Sequence, residues 1–248
     1  MRSHAPNGLN TRVRPMVFAA MMIGALAFAS PAVAGSKRAR SKKKREAPKT
    51  TVADAPPSLQ ALMAAFRASP GTQADFVEEK RMALLAAPLK SVGTLYFAPP
   101  GRLARHITKP SRSTVIVDAK SVQIDDGKTV QRIDLAAKPV IRRFVQSFVL
   151  LLKGDEAGLR KTYGVLYMPK KPSKPGEKAS WTLVLSPRVA PLNKVVKTLT
   201  MNGRGLVVSR MTMVENDGDS TVTRFSNVNP QRRFSAADTK RYFTVPKR

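Results

Sequence analysis

The chain has 248 residues, enough for one sizeable domain, and its 42% apolar residues are a normal globular share from which a core can be built. It holds no cysteine, which excludes a disulfide scaffold, a thiol nucleophile, a Cys-ligated metal and a lipoprotein anchor. With 44 Lys and Arg against 16 Asp and Glu, the net charge of +28 favours polyanions, either nucleic acid or an anionic membrane surface.

The N-terminus decides between those two. Arg2, Arg12 and Arg14 precede an apolar run from Met16 to Ala29, and Ser30-Pro31-Ala32-Val33-Ala34 ends in a small-x-small pattern. This predicts a secretory signal peptide over residues 1–34, cut after Ala34, and so an exported protein. The run is shorter than the ~20 apolar residues a spanning helix needs. Seven cations follow closely between Lys37 and Arg45, charges of a kind that resist translocation. Residues 35–57 hold Lys, Arg, Pro, Thr and Ala with almost nothing apolar, which predicts a basic disordered linker. Anionic lipid headgroups would attract it by ~1 kcal/mol per Lys or Arg at the surface. After an export signal the same run is not read as a nucleic-acid site.

The folded domain is expected over residues 58–248. Ser58 can cap a helix with Leu59, Leu62, Met63 and Phe66 on one face, and Pro70-Gly71 ends it. Alternating segments then predict strands at Gln73–Lys80, Leu89–Phe97, Arg102–Thr108, Ser113–Asp118, Ser121–Ile124 and Thr129–Asp134. Pro99-Pro100-Gly101 and Asp126-Gly127 are turns between them. Connections this short make neighbours antiparallel. Pro139 to Leu152 reads as a helix with Pro at its first position, its last turn apolar on every side, and Asp155 caps a second, brief helix. Strands resume at Gly164–Met168, Ser180–Ser186, Lys197–Asn202, Leu206–Glu215 and Ser220–Asn227, with hairpin turns expected at Asn202-Gly203 and Asp217-Gly218. About eleven strands with helices inserted mid-sheet describe a mainly β (α+β) protein. Its single long antiparallel sheet forms either a barrel or a half-barrel covered by helices.

Little in the chain carries chemistry. His106 is the only histidine beyond the signal peptide, so triads and zinc sites lack raw material, and mid-strand His106 is read as a bystander. Asp125-Asp126 and Asp217 with Asp219 sit at hairpin turns, where Asp is favoured for local bonding. Glu78 and Glu79 point to opposite faces of one strand and cannot flank a substrate together. No Gly-rich phosphate loop follows any strand. Aromatics, at 6%, fall mostly on apolar faces, so the charge lacks the stacking platform of a single-strand binder. The expectation is no enzyme, no cofactor, no metal and no nucleic-acid partner.

From about Leu59 to Phe234 the chain resembles the LolA family of periplasmic lipoprotein carriers. The resemblance is carried in order by Ala74-Asp75-Phe76-Val77-Glu78, by Leu89 to Phe97 around Ser91, Gly93, Leu95 and Phe97, and by Pro100-Gly101-Arg102-Leu103 through Lys109-Pro110. It continues in Trp181-Thr182-Leu183-Val184-Leu185-Ser186-Pro187, in Leu199 to Met213 and in Asp217-Gly218-Asp219. The resemblance implies an incomplete antiparallel barrel of eleven strands with a helical lid over an apolar cavity. It further implies acylated cargo, received from an inner-membrane exporter and passed to an outer-membrane acceptor. Two positions depart from the family pattern: Pro99 stands where members carry an arginine, and Ala104-Arg105-His106 where they carry a tryptophan. The version here resembles a divergent branch found beside acyl-chain biosynthesis enzymes and lipid exporters, which leaves lipoprotein, glycolipid or free acyl product as cargo.

A cavity for acyl chains should be walled by Phe76, Leu95, Phe97, Leu103, Val117 and Ile124 from the first half. Trp181, Leu183, Leu199, Met211 and Phe225 would come from the second half, with Phe144, Phe148 and Leu151 as the lid. Met201, Met211 and Met213 read first as ordinary core packing, with adaptation to cargo of varied shape as the alternative role. An adaptor on the same fold, whose groove receives a partner peptide, is the competing reading.

Overall fold

Strands joined by short connections pair antiparallel with the next strand in the chain. The structure is a computed structural model that describes residues 58–172 and 179–245. The expected signal peptide and basic linker lie outside the described residues. α1 (Leu59–Ala68) comes first. The Ser58 hydroxyl accepts the Ala61 N–H at 3.1 Å, and Leu59, Leu62, Met63 and Phe66 are buried, as their helical spacing requires. Then come β1 (Thr72–Arg81), β2 (Leu89–Ala98), β3 (Arg102–Lys109), β4 (Ser113–Val117), β5 (Ser121–Asp125) and β6 (Val130–Asp134). α2 (Pro139–Leu152) and α3 (Glu156–Thr162) follow. The chain returns to the sheet with β7 (Tyr163–Lys170), β8 (Ser180–Pro187), β9 (Val196–Arg204), β10 (Val207–Glu215) and β11 (Ser220–Asn229). α4 (Ala236–Tyr242) closes the described chain.

All strands join one antiparallel sheet in the order β6-β5-β4-β3-β2-β1-β11-β10-β9-β8-β7. The meander is interrupted once, where β1 pairs with β11 and brings the two halves together in mid-sheet. β6 and β7 remain as unjoined edges, so the sheet stays open instead of closing into a barrel. Its inner face packs under α1, α2 and α3, and Phe66 of α1 meets the Trp181 ring edge-on at 6.5 Å.

One turn differs from its expected place. The β9–β10 hairpin turns at Gly205 and Leu206, and Gly203 lies inside β9, paired with Trp181 of β8. A Cβ on Gly203 would sit 2.4 Å from the Trp181 ring, so this glycine makes room for an indole and Gly205, at φ +52°, makes the turn. The indole N–H donates to the Gly205 carbonyl at 2.9 Å, locking the two together.

The three inner helices hold one another at the α2–α3 corner. Gly154 has φ +66°, and a Cβ there would lie 1.9 Å from the Met63 carbonyl oxygen of α1. Arg67 of α1 donates to the Gly154 carbonyl at 2.7 Å. α4, which the sequence reading did not anticipate, lies on the outer face. Its capping box joins Ser235 and Asp238, and Tyr242 stacks on Tyr96 of β2 with centroids 4.3 Å apart. His106 is in this outer cluster: its Nε2 lies 2.9 Å from the Tyr242 carbonyl oxygen and its ring meets Tyr96 edge-on. Among the described residues no helix is long and apolar enough to cross a membrane.

Candidate functional site

Period-two alternation sorts each strand into an inner and an outer face. In β1 the buried inner residues are Ala74, Phe76, Glu78 and Lys80, with Asp75, Val77 and Glu79 outside. The register carries that face across the sheet, Ala74 opposite Leu95, Leu95 opposite Arg105, and Arg105 opposite Val115. Between this inner face and α2 lies a cavity of about 120 Å³. β1 to β4 supply one wall, with Leu95, Phe97, Leu103 and Val117 among them, and β9 to β11 the other, with Met201, Val208, Met211 and Phe225. α2 covers it with Phe144, Val145, Val149, Leu151 and Leu152, and Phe66 enters from α1.

Of the twenty-two lining residues only Thr72, Glu78, Arg105 and Thr223 carry a polar or charged side-chain group. Three of these belong to one buried cluster. Arg105 Nη2 donates to Glu78 Oε1 at 3.1 Å, and the Thr223 hydroxyl donates to Glu78 Oε2 at 2.8 Å. The Arg105 guanidinium also lies over the Phe76 ring, 4.5 Å from its centroid. A second buried pair, Lys80 with Glu215 at 2.9 Å, follows on the same face away from the cavity. The cluster thus forms a polar end to an otherwise greasy space.

The expected cavity residues divide into three groups. Leu95, Phe97, Leu103, Val117, Phe144, Leu151, Met211 and Phe225 line the cavity. Phe76 is on the inner face but does not line it, because its ring is enclosed by Arg105 and by Gly93, where a Cβ would come within 2.9 Å of the ring. Trp181, Leu183 and Leu199 are buried in solid core under the helices, and Ile124 is half-buried against the same core. Phe148 is part of α2, but its side chain lies outside the described residues. Of the three methionines, Met201 and Met211 line the cavity and Met213 packs in the core. Sequence reasoning missed Glu78, Arg105 and Thr223 as wall residues. The signal was present in the alternation that puts Glu78 on the face of Ala74 and Phe76.

The acidic residues behave as the turn chemistry suggests. Asp126 accepts the Lys128 and Thr129 amides at 2.8 and 2.7 Å, and Asp217 accepts the Asp219 amide at 3.1 Å. Glu79 faces outward, 3.8 Å from both Lys90 and Arg224. Among the described residues no group of three or more His, Cys, Asp or Glu side chains is placed to hold a metal ion.

An open antiparallel sheet around an apolar, helix-covered cavity defines the class of incomplete β-barrels. Within it, a family model described as outer membrane lipoprotein carrier protein LolA-like matches residues 47–234. The chain belongs to that LolA-like family. No curated protein sequence matches it. A LolA superfamily protein from Nitrosomonas europaea has 10% identity and a TM-score of 0.41, covering 76% of this chain and 98% of its own. MucB in its complex with MucA from Pseudomonas aeruginosa has 16% identity and a TM-score of 0.43 over 71% of this chain, but only 56% of the matched chain is covered. The lipoprotein LppX from Mycobacterium tuberculosis has 8% identity and a TM-score of 0.39, covering 70% and 96%.

Proposed function

We propose that the chain is a periplasmic carrier that shelters acyl chains of a lipoprotein or another lipid in the cavity under α2, and moves them between inner and outer membranes. The observation that supports this best is the lining: eighteen of twenty-two wall residues offer only carbon and sulfur side chains. Each buried CH₂ gains ~0.8 kcal/mol, so a 16-carbon chain is held out of water by ~12 kcal/mol without any specific hydrogen bond. That is what crossing an aqueous compartment demands. The cavity of about 120 Å³ is smaller than the ~300–1,000 Å³ of ordinary ligand pockets. In this reading α2 is a lid, and loading a whole acyl chain requires it to swing away from the sheet.

The test is native mass spectrometry with lipid extraction on protein purified from the periplasm without harsh detergent. Stoichiometric acylated material supports the carrier and gives its cargo class. Protein that comes empty, and fails to shield a fluorescent fatty acid from water, refutes it in favour of the peptide-binding adaptor. The same spectra give the mature N-terminus: a chain starting at Gly35 supports export, and one starting at Met1 overturns it.

A further inference from the structure

The loop between β1 and β2 breaks the usual rule for surface loops. Residues 82–88 read Met-Ala-Leu-Leu-Ala-Ala-Pro, with no polar side chain among them, and Leu84 is 91% exposed and Leu85 43%. The loop has a fixed shape. The Ala83 amide donates to Asp219 of the β10–β11 turn at 3.0 Å, and the Leu85 amide closes a turn onto the Met82 carbonyl. Gly218 allows that neighbouring turn its φ of +93°. A rigid turn thus presents two leucines to water, which a protein surface ordinarily avoids unless the patch meets something.

What it meets follows from the charges around it. Alternating antiparallel strands place the β1–β2, β3–β4, β5–β6 and β10–β11 connections at one end of the sheet. Arg81 and Lys90 flank the apolar loop, and Arg112 and Lys128 sit in the next two turns; all four are exposed. Asp219 accepts the Ala83 amide, Asp126 and Asp217 accept amides of their own turns, and Glu79 lies 3.8 Å from Lys90, so these carboxylates are held against the fold while Arg81, Arg112 and Lys128 are exposed. Apolar side chains at the tip of a cationic rim match a bilayer surface, with hydrocarbon beneath a layer of negative headgroups.

We infer that this end of the sheet is a membrane-docking surface, in which Leu84 and Leu85 insert among the acyl chains of an anionic bilayer while Arg81, Lys90, Arg112 and Lys128 engage its headgroups. The surface is separate from the cargo cavity, whose apolar walls lie nearer the other end of the sheet, and the inference stands or falls independently of what the cavity holds.

The cysteine-free chain makes the test direct. A single cysteine at position 84 (L84C), labelled with an environment-sensitive NBD fluorophore, is mixed with vesicles of 30% phosphatidylglycerol in phosphatidylcholine or of phosphatidylcholine alone. The same label at Ser209 of β10 (S209C) is the control. The expected result is a blue shift and intensity gain of several-fold at position 84, none at 209, and a signal with anionic vesicles that fades as salt rises. Leu84→Ser with Leu85→Ser should weaken co-sedimentation with those vesicles at least tenfold, although the basic N-terminal segment is unchanged. Absence of any shift at 84, or sedimentation unaffected by the double substitution, overturns the inference and leaves vesicle binding to the basic segment alone. A shift as large with neutral vesicles overturns the role of the cations. A shift seen only with native membranes and never with pure lipid overturns the bilayer as occupant in favour of a membrane protein.

Discussion

If α2 is the lid, tying it to the sheet should stop loading, and the geometry provides a place for the tie. A Cβ built on Gly101, in the β2–β3 turn, lies 3.1 Å from Val149 Cγ1 and 3.7 Å from Val149 Cγ2 of α2. A Cys sulfur at 149 would take one of those Cγ positions, close enough to a residue at 101 for a bridge to form. Gly101 has no left-handed φ to protect, and replacing Val149 with Cys removes the methyl that crowds the new Cβ. In the double variant Gly101→Cys, Val149→Cys the bridge closes a loop of about 48 residues, a chain-entropy stabilisation of ~4 kcal/mol. Loss of one buried methyl removes ~1 kcal/mol, leaving a net gain of ~3 kcal/mol. At ~2–4 °C per kcal/mol for a domain of this size, the oxidised protein should melt ~6–12 °C above the parent. The assay is uptake of a fluorescent fatty acid with and without reductant, the bridge being verified by mass. Oxidised protein should stay dark and reduced protein should load like the parent. Bridged protein that loads as fully and as fast as reduced protein would refute the lid: the cavity would then fill with α2 still held at the β2–β3 turn.

Phe225 is half-buried and faces the cavity, so Phe225→Arg should abolish fatty-acid uptake while the circular dichroism spectrum and cooperative melt persist. Leu183 is fully buried in solid core, and Leu183→Arg strands an unpaired charge there, a loss beyond ~4 kcal/mol that should leave no folded protein to assay. Arg105→Met leaves the Glu78 carboxylate buried with Thr223 and should cost about 3–5 kcal/mol in urea unfolding, most of it recovered when Glu78→Gln is added. At Asp118, burial pushes the carboxyl up, but the Lys120 and Ser121 amides, the Ser121 hydroxyl and Arg132 outweigh it and hold the group below the ordinary range. A lowered value in the folded state stabilises above the unfolded value and is lost as pH falls through the folded one. Asp118→Asn should therefore be less stable than the parent at neutral pH, with the gap closing in urea titrations below about pH 3.9.

The strands were legible because their signals are local. Alternation within Gln73–Lys80, or between the turns at Pro99-Pro100-Gly101 and Asp126-Gly127, needs no knowledge of the rest of the molecule, and all eleven strands appear within a few residues of the expected bounds. Asn202-Gly203 shows where local reading ends. The dipeptide is a good hairpin signal, but Gly203 answers to the Trp181 ring twenty-two residues earlier in the chain, across a strand pair. α4 was missed even though its Ser235 to Asp238 capping box is a local signal, because the apolar residues after it are few. The inner face could also be read, but not its division into cavity and core. Leu95 and Leu183 have the same strand pattern, and only the path of the helices decides that α1 packs over β8, with Phe66 against Trp181, while α2 leaves a gap over β2 and β3.

If the chain is a carrier, the size of that gap bears on how it can both hold and release. The walls of that space of about 120 Å³ are mostly apolar and would give waters inside it few partners. Closing the lid over it therefore keeps Phe144, Val145, Val149 and Leu151 out of water, worth ~1.5–3 kcal/mol apiece, or ~6–12 kcal/mol together. Lifting α2 puts that sum at risk, and an acyl chain sliding beneath it returns about the same amount, since a 16-carbon chain gains ~12 kcal/mol on leaving water. The net gain on loading is then the chain's own ~12 kcal/mol less whatever part of the α2 face stays exposed. A rigid preformed pocket of the same lining would bind the chain by the whole hydrophobic term and release it slowly. A lid whose own apolar face competes with the cargo leaves binding strong enough for an aqueous crossing and weak enough for transfer to a receiving membrane or protein.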